Sequence, residues 1–455
     1  MTGAPILSVA QMRVAEQALF DAGVDPFALM QRAGEGAADV IARLGEPRGT
    51  LVLCGPGNNG GDGFIVARAL RDMGVPVRVA ALGESRTDSS KRARQAWAGP
   101  VEDIMHAAPA PWLVDALFGI GLARGLDGGL AERLSALVHA AQQSIAIDVP
   151  SGVESDAAVA LSPVPRFTHC LALGAWKPAH MLMPARAFAA QHRLVDIGIA
   201  APPCCAQSLG PPAIAAPATD SHKYARGLVA VVGGAMPGAA GLAAEAAARG
   251  GAGYVRLLAD RDPGGLSHAI VRSDALDFDR AKAVLVGPGL GRDDAARARL
   301  AAARAAGVPL VADADALWLL ATDGFGAAPV PALLTPHEGE FAHLFGDGQG
   351  NKIDRTRAAA GRCGGVVVHK GPDTVIAAPD GRCVVAPPAS SWLSTAGTGD
   401  VLAGLCAARL GVTGDPFRAA CEAVWLHGAA ARRAGAAFVA DDLVACIPAA
   451  LASAL

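Results

Sequence analysis

The sequence lacks the features that mark membrane-spanning and nucleic-acid-binding proteins. Its 455 residues contain no run of about 18 or more strongly apolar residues, which argues against a membrane-spanning helix. The formal net charge is only −3, so we expect neither a nucleic-acid partner nor a surface for anionic membranes. Only 6 of the 39 basic residues are lysines, and each lysine therefore stands out as a candidate functional residue.

Disulfide and zinc chemistry also have little support. The nine cysteines are scattered and odd in number, and no Cys-x-x-Cys pair occurs. The N-terminus has neither a basic stretch nor a cleavage site, so we predict no secretory signal. We therefore expect a cytoplasmic globular protein of more than one domain, because domains usually have roughly 100–200 residues.

Composition changes most clearly at Ala201–Thr219, which holds five prolines and no charged residue. This segment predicts a linker between a first domain at residues 1–200 and a second at residues 220–455. Both domains alternate short apolar runs with helical segments. Such alternation is typical of an α/β fold in which helices cover both faces of a parallel sheet.

The first domain has a glycine-rich segment, GPGNNGGDG at residues 55–63, between a strand at Leu51–Cys54 and a helix. Backbone amides in such a turn can approach an anion at the helix N-terminus. The segment is neither a Walker A loop nor a GxGxxG loop with an acidic ribose ligand. We predict ligand binding here; the alternative is a tight connection without a ligand.

Two further strand ends carry polar residues. Asp115 begins DALFGIGLARG, and Asp148 and Ser151 lie in DVPSG. A lone Asp at a strand end is commonly a helix cap, but three such ends meet at the edge of the sheet where ligands bind. Asn59, Asp115 and Ser151 offer hard oxygen ligands, which suits a cation near a phosphate.

Together these three motifs resemble the epimerase domain of NAD(P)H-hydrate repair enzymes, the YjeF N-terminal family, over about residues 8–200. The resemblance implies a Rossmann-like three-layer αβα sandwich, a K⁺ ion bound by Asn59, Asp115 and Ser151, and Asp148 at the hydrated ring as the proton-handling residue. The substrate would be held by Asp148 and by two loops, Asn58, Asn59, Gly60, Gly61 and Asp62 in one and Gly119, Ile120, Gly121, Leu122, Ala123, Arg124 and Gly125 in the other. Whether Lys177, in GAWKPAH, binds an anion stays open.

The sharpest chemistry of the second domain lies in STAGTGDVLAG at residues 394–404. Gly397, Thr398 and Gly399 place free backbone amides at the start of an apolar helix, where they can stabilise a transferring phosphoryl group. Asp400 in the next position can accept a hydroxyl proton as that group arrives. The alternative is an Asp that only compensates the charge of the helix N-terminus.

These residues resemble the anion hole of ribokinase-like kinases. The wider set of motifs, from HKYARG at residues 222–227 to GTGDVLAG, is similar to the ADP- or ATP-dependent NAD(P)H-hydrate dehydratases over about residues 220–450. The resemblance implies a ribokinase-like three-layer αβα sandwich with Mg²⁺ and with Asp400 as catalytic base. The hydrate would contact Ala240, Gly289, His337 and Asp400, and the nucleotide would contact Lys370, Gly371, Pro372, Asp373, Thr374 and Gly399. Ala396 and Trp318 depart from the family pattern.

The two resemblances predict one chain with two activities. The first domain would interconvert the R and S hydrates of NADH and NADPH, and the second would dehydrate the S form at the expense of ADP. One alternative is a ribokinase-like vitamin kinase fused to a non-catalytic nucleotide-binding domain, and another is a binding module. The sequence leaves open ADP against ATP, the preferred hydrate, and whether the chain forms a homo-oligomer.

Overall fold

The computed structural model describes residues 2–326 and 329–455 and divides the chain into two compact units. One unit comprises Ala4–Cys205, and the other comprises Ala206–Leu455 together with Thr2 and Gly3. In the described ranges no helix is both long enough and apolar enough to cross a membrane.

The first unit is built around a seven-stranded sheet in which all neighbouring strands are parallel. The strands up to the end of this unit are β1 Thr2–Ile6, β2 Thr50–Cys54, β3 Val77–Ala81, β4 Glu102–Asp103, β5 Trp112–Ala116, β6 Gln143–Ile147, β7 Val153–Glu154, β8 Val159–Ala160, β9 Phe167–Leu173 and β10 Ala189–Val195. The helices are α1 Val9–Asp21, α2 Pro26–Arg43, α3 Asn58–Asp72, α4 Asp88–Trp97, α5 Gly128–Ala140 and α6 Pro178–Met181. The order in the sheet is β10-β9-β6-β5-β2-β3-β4.

Strand β2 shows why both faces of this sheet are covered. Every residue of the strand is buried. Val52 and Cys54 belong to an apolar core shared with α1 to α4, whereas Leu51 and Leu53 belong to a second core shared with α5. Because successive strand residues point to opposite faces, helices lie on both sides of the sheet. The unit is the predicted three-layer αβα sandwich.

The second unit contains an eleven-stranded sheet whose order is β1-β11-β20-β19-β18-β17-β16-β15-β12-β13-β14. Its strands after β1 are β11 Ala206–Leu209, β12 Leu228–Val232, β13 Tyr254–Leu258, β14 Ile270–Ser273, β15 Ala281–Val286, β16 Leu310–Ala312, β17 Leu333–Leu334, β18 Val366–His369, β19 Val375–Ala377 and β20 Cys383–Val385. The helices are α7 Pro237–Arg249, α8 Asp294–Ala305, α9 Ala314–Asp323, α10 Glu338–Phe345, α11 Lys352–Cys363, α12 Thr398–Thr413, α13 Pro416–Ala434 and α14 Ala440–Ala452. Strands β12 to β18 are parallel, and β19 is antiparallel to both β18 and β20.

Helix α12 lies in the centre of the larger core of this unit. It is buried from Val401 to Leu410 and packs against α7, α13 and α14. Leu285 of β15 belongs to the same core. Its neighbours Val284 and Val286 are also buried but point to the opposite face of the sheet. Helix α8 packs on β15 and α11 packs on β18. The unit therefore has the predicted α/β architecture, with an apolar helix that carries the glycine-rich motif at its N-terminus.

The segment predicted as a linker differs from the expectation. Ala206–Leu209 forms β11, which pairs in parallel with β20. The backbone N–H of Ile214 donates to the carbonyl oxygen of Ala454 over 2.8 Å, and its side chain is buried. The prolines of the segment lie outside the strand and so do not block its pairing. Its apolar side chains cover the second unit, and the structural division falls at Cys205 instead of near residue 219.

Candidate active sites

A cavity of about 460 Å³ lies at the carboxyl edge of the first sheet. Helices α1, α2 and α3 and the segment after β5 form its walls. Of the predicted site residues, it brings together Asn58, Asn59, Asp62, Gly119, Ile120, Gly121, Leu122 and Asp148. Gly60, Gly61, Ala123, Arg124 and Gly125 do not line the cavity. The cavity also contains Glu16 and Lys177, for which the motifs gave no role.

The glycine-rich segment is helical where the sequence predicted a turn. Helix α3 starts at Asn58, with Gly57 as its N-cap, so the motif forms the first turns of the helix. A Cβ atom at Gly60 would lie 1.8 Å from the carbonyl oxygen of Gly55, which no side chain tolerates. Close packing of the helix against the preceding strand thus explains this glycine. The N-cap Gly57 and the first two residues of the helix, Asn58 and Asn59, line the cavity.

Asp115 lies at the carboxyl end of β5 and is completely buried. Its Oδ1 accepts hydrogen bonds from Ser151 Oγ at 2.8 Å and from the N–H of Leu117 at 3.1 Å, and its Oδ2 accepts from the N–H of Ser151 at 3.0 Å. Burial raises the pKa of Asp115 to about 6 despite these bonds. The described residues form no salt bridge to this carboxylate.

Asp148 and Lys177 form a buried ion pair in the same cavity. Lys177 Nζ donates to Asp148 Oδ1 and to the carbonyl oxygen of Leu173, each over 2.6 Å. The N–H of Ile120 donates to Asp148 Oδ2 over 3.0 Å. Burial alone would raise the pKa of Asp148, but the charge and hydrogen bond of Lys177 outweigh it and lower that pKa. The anion that Lys177 binds is therefore the carboxylate of Asp148.

His180 forms hydrogen bonds with the backbone of both residues of this pair. Burial lowers the pKa of His180 to about 4, so the ring is neutral near pH 7. Its Nδ1 accepts from the N–H of Lys177 at 2.9 Å, which leaves the proton on Nε2. Nε2–H then donates to the carbonyl oxygen of Asp148 at 2.5 Å. The motifs did not reveal His180, because its contact with Asp148 joins residues 32 positions apart.

Two further carboxyl groups share the cavity. Burial and the negative charges of Asp148 and Glu16 raise the pKa of Asp62 well above its usual value. Burial and the charge of Asp148 likewise raise the pKa of Glu16. Asp148 is therefore the ionised member of the three, while Asp62 and Glu16 hold protons more tightly. Such divergence among neighbouring acids is typical of sites that move protons.

In the second unit, the N-terminus of α12 carries Asp400 in its first turn. The N-cap Gly397 has a φ of +88°, and a Cβ there would lie 2.8 Å from both Ala440 and Leu242. Burial, followed by the negative charge of Asp313, raises the pKa of Asp400 to about 7. His427 on α13 contacts the carbonyl oxygen of Thr398 through Nε2 at 2.9 Å.

Lys370 brings a positive charge to this helix terminus. Its Nζ donates to Asp313 Oδ1 over 2.8 Å and lies 3.7 Å from a carboxylate oxygen of Glu340. A Cβ on Gly399 would be 3.7 Å from the same Nζ atom. Thr335 Oγ1 also donates to Asp313 Oδ1, at 2.7 Å. Lys370 therefore lies beside Gly399, and the charge of Asp400 helps to raise the pKa of Lys370.

Two side chains hold the loop after Lys370 in place, Thr374 from within the loop and Lys352 from α11. Thr374 Oγ1 donates to the carbonyl oxygen of Gly371 over 2.8 Å. Lys352 of α11 donates from Nζ to Asp373 Oδ1 at 2.7 Å and to the carbonyl oxygen of Lys370 at 3.3 Å. Sequence motifs missed Lys352, and its only signal was membership of the small lysine set. Pro372 lies between Gly371 and Asp373 in the same loop.

The other predicted substrate residues have different surroundings. Ala240 lies on the buried face of α7 and is completely enclosed in the core, so its side chain is not at a surface. Gly289 is buried too, and its carbonyl oxygen accepts from the N–H of Met236 at 3.0 Å. His337 is exposed and caps α10, accepting from the N–H of Gly339 at Nδ1. Trp318 stacks on His343 with ring centroids 6.0 Å apart.

Each α/β unit has a carboxylic acid of raised pKa at the carboxyl edge of its sheet, where α/β enzymes bind their ligands. Residues 229–449 match a family model described as NAD(P)H-hydrate dehydratase, and residues 26–179 match the model of the YjeF-related protein N-terminus. The bifunctional NAD(P)H-hydrate repair enzyme of Salinibacter ruber is 35% identical, over 98% of this chain and 95% of that protein. The chain belongs to the family of bifunctional NAD(P)H-hydrate repair enzymes.

Other similar proteins include the bifunctional NAD(P)H-hydrate repair enzyme of Escherichia coli, which is 30% identical over 93% of this chain and 88% of that protein. Among solved structures, the ADP/ATP-dependent NAD(P)H-hydrate dehydratase of Bacillus subtilis, co-crystallised with ATP and Mg²⁺, is 28% identical. The match covers 53% of this chain and 95% of the Bacillus subtilis chain, with a TM-score of 0.49.

Proposed function

We propose that the chain repairs hydrated NADH and NADPH through two active sites, an epimerase in the first unit and an ADP-dependent dehydratase in the second. Water adds to the 5,6 double bond of the reduced nicotinamide ring, and the hydroxyl joins the carbon next to the ring nitrogen. The resulting hydroxyl-bearing carbon has R and S forms. Family membership supports the substrates, and the two carboxylate sites support the two activities.

At the first site the reaction inverts the hydroxyl-bearing carbon. With the ring nitrogen lone pair assisting, the C–O bond breaks and the hydroxyl leaves as water after gaining a proton from Asp62, the cavity carboxyl whose pKa is raised well above its usual value. Water then adds to the other face and gives a proton back to a base. Asp148 is the ionised carboxylate available for this proton, because Lys177 keeps its pKa low. Asn58 to Asp62 and Gly119 to Gly125 would hold the substrate's phosphates nearby.

Asp115 and Ser151 fit the K⁺ ion that the family implies, with Asn59 completing the oxygen ligands. The supporting observation is the buried carboxylate of Asp115, whose pKa is raised to about 6 by burial without a salt bridge in the described residues. A monovalent cation would relieve that burial cost and order the segment after β5. K⁺ would supply positive charge near the phosphates of the substrate.

At the second site the hydroxyl of the S hydrate is phosphorylated, since hydroxide is a poor leaving group. The hydroxyl oxygen bonds to the terminal phosphorus of ADP, AMP leaves, and the hydroxyl proton passes to Asp400. The new phosphate ester then leaves as phosphate with the C–O electron pair. Loss of a proton from the adjacent ring carbon restores the double bond. The Gly397 to Gly399 amides and Lys370 would stabilise the transferring phosphoryl group.

The nucleotide would lie along Lys370 to Thr374 and at Gly399, with the hydrate near Asp400, His337, Gly289 and Ala240. Mg²⁺ would supply charge neutralisation at the phosphates. The carboxylates of Asp313 and Glu340 would hold this ion, because they lie 2.8 and 3.7 Å from Lys370 Nζ, next to the proposed phosphate site. The described residues contain no cluster of three or more His, Cys, Asp or Glu side chains that could hold a metal ion, and Mg²⁺ commonly binds through one or two carboxylates plus phosphates.

The observation that carries the proposal is Asp400 beside Lys370 at the N-terminus of α12. The test is to incubate the purified chain with the S hydrate and ADP, and to follow the return of the reduced nicotinamide spectrum and the release of AMP and phosphate. NADH with one phosphate per AMP supports the dehydratase. A stable phosphorylated alcohol would instead favour a vitamin-kinase-type reaction. A cytoplasmic location and the oligomeric state stay predictions.

A further inference from the structure

The family motifs leave Lys177 unexplained, although it is one of the largest fully buried side chains of the described residues. Burying an ammonium group is costly unless it is paired, so a buried lysine in a cavity wall calls for a reason. We infer that Lys177 is a positioning residue for the epimerase reaction, which holds the Asp148 carboxylate in place as an anion. This inference rests on the epimerase activity proposed above.

The Nζ atom of Lys177 contacts Asp148 and the backbone, and it is shielded from solvent. Its Nζ has one carboxylate partner, Asp148 Oδ1, and one carbonyl partner, Leu173 O, both at 2.6 Å. With 0% of the side chain exposed, the ammonium group cannot reach a substrate phosphate in this conformation. Its charge therefore acts on the reaction through Asp148.

The second oxygen of Asp148 is fixed as well. Asp148 Oδ2 accepts from the N–H of Ile120, in the glycine-rich segment that lines the cavity. Gly119 passes so close that a Cβ there would be 2.7 Å from Asp148 Oδ2 and 3.2 Å from Asn59 Oδ1. Lys177 and this segment thus hold the carboxylate from opposite oxygens and direct it into the cavity.

The backbone of Asp148 is equally constrained. Its φ is +65°, a left-handed conformation that non-glycine residues rarely adopt. The N–H of Asp148 donates to Leu171 O at 2.8 Å, and its carbonyl oxygen accepts from His180 Nε2. His180 in turn accepts from the N–H of Lys177. The same two residues, Lys177 and His180, therefore hold both the backbone and the carboxylate of Asp148.

The charges around Asp148 explain why a lysine is needed. Glu16 on α1 and Asp62 on α3 face it as carboxyl groups, His180 faces it as a neutral ring, and Cys170 on β9 contacts its carbonyl. Lys177 is the cation that touches Asp148 in the described parts of the chain. Without it, three acids would share one cavity, and Asp148 would hold its proton as they do. A protonated Asp148 cannot accept the proton released when water adds.

The test uses the full chain and four variants, Lys177→Met, Lys177→Arg, Asp148→Asn and the Lys177→Met/Asp148→Asn double variant. Exchange between R and S hydrates is measured without ADP over a range of pH, by chromatographic separation of the two forms. Dehydration of the S hydrate with ADP is measured on the same samples, to show that each chain is folded and active at its second site.

For Lys177→Met we expect kcat for exchange to fall about 100-fold near neutral pH. The acid limb of its pH profile should move upward by about 1–3 pH units, because Asp148 loses its positive neighbour. Lys177→Arg keeps the charge, so its acid limb should stay near that of the wild type even if kcat falls. In the Asp148→Asn background, Lys177→Met should cost little more.

Three results would overturn the inference. The first is a Lys177→Met profile that keeps its shape and loses rate equally at every pH, which is what a purely structural lysine would give. The second is an identical upward shift in Lys177→Arg. The third is a full additional loss in the double variant. Absence of R/S exchange in the wild-type chain would instead contradict the proposed epimerase itself.

Discussion

Lys370 forms an ion pair with the buried Asp313, with Lys370 Nζ 2.8 Å from Asp313 Oδ1. The two residues follow different strands of the second sheet, β18 and β16, and meet at its carboxyl edge. The positive charge lies beside Gly399, while burial, followed by the negative charge of Asp313, raises the pKa of Asp400. The pair thus contributes to both the anion-binding and the proton-accepting character of the site.

Replacing Lys370 should remove the phosphate-facing charge. We expect Lys370→Met to lower kcat/KM for ADP-dependent dehydration about 100- to 1,000-fold, and to leave R/S exchange unchanged. The control is Lys282→Met, because Lys282 is an exposed lysine of β15 in the same unit. Steady-state kinetics with the S hydrate and ADP measures the effect. Equal activity of the two variants would contradict a role for Lys370.

Dehydration should depend on pH through Asp400. Its pKa of about 7 means that the carboxylate is half protonated at neutral pH and loses its capacity to accept a proton below that value. We therefore expect kcat to fall about tenfold for each pH unit below about 6 and to level off above about 8. A rate profile without an acid limb near pH 7 would exclude Asp400 as the base.

The same pKa predicts a stability change. Because the folded-state pKa of Asp400 is raised, the native chain binds more protons than the unfolded chain between about pH 4 and 7, and the ionised group destabilises the fold above that range. Asp400→Asn cannot ionise, so it should raise the Tm of the second unit at pH 8 and change it little at pH 4. Thermal unfolding at the two pH values measures this, and a lower Tm at pH 8 would refute it.

Gly397 should be irreplaceable at the N-cap of α12. Its φ of +88° and the 2.8 Å approach of Ala440 leave no room for a Cβ, so Gly397→Ala should displace the amides and lower dehydration about 100-fold or more. Gly361→Ala is the matched control, since Gly361 lies in helix α11 with open space around its Cβ position. The control should keep full activity and gain slight stability.

Removing K⁺ should weaken the first site alone. When the R/S interconversion assay is run in K⁺-free buffer, we expect it to slow. ADP-dependent dehydration, assayed in its usual buffer, should continue. Asp115→Asn should show the same loss and should no longer respond to added K⁺, because the buried carboxylate is gone. Epimerisation that is indifferent to K⁺ would contradict the cation assignment.

Much of the fold could be predicted because its signals are local. Strand β2, for example, begins only one residue before the predicted strand at Leu51–Cys54, since a short buried apolar run lies within one stretch of sequence. The start of α3 was missed because glycines usually indicate a turn, whereas those of GPGNNGGDG allow a helix to pack closely. Strand β11 was missed because prolines dominate its surroundings.

The candidate sites divide in the same way. Asp115, Asp148 and Asp400 stand in motifs at strand ends or a helix start, so their placement at the sheet edges follows from the fold class. The partners of these acids come from tertiary packing. Lys177 contacts Asp148 across 29 positions and Lys370 contacts Asp313 across 57, and no local pattern encodes either pairing.

One chain is expected to convert both the R and the S hydrate to NADH through two separate sites. The direct measurement is the yield of NADH from an equal mixture of R and S hydrates with excess ADP, followed by absorbance. The wild type should convert the whole mixture. Asp148→Asn should convert the S half and then continue only at the uncatalysed rate of epimerisation. Asp400→Asn should produce no NADH but should still interconvert the R and S hydrates. Complete, wild-type-rate conversion by Asp148→Asn, or NADH formation by Asp400→Asn, would contradict the account.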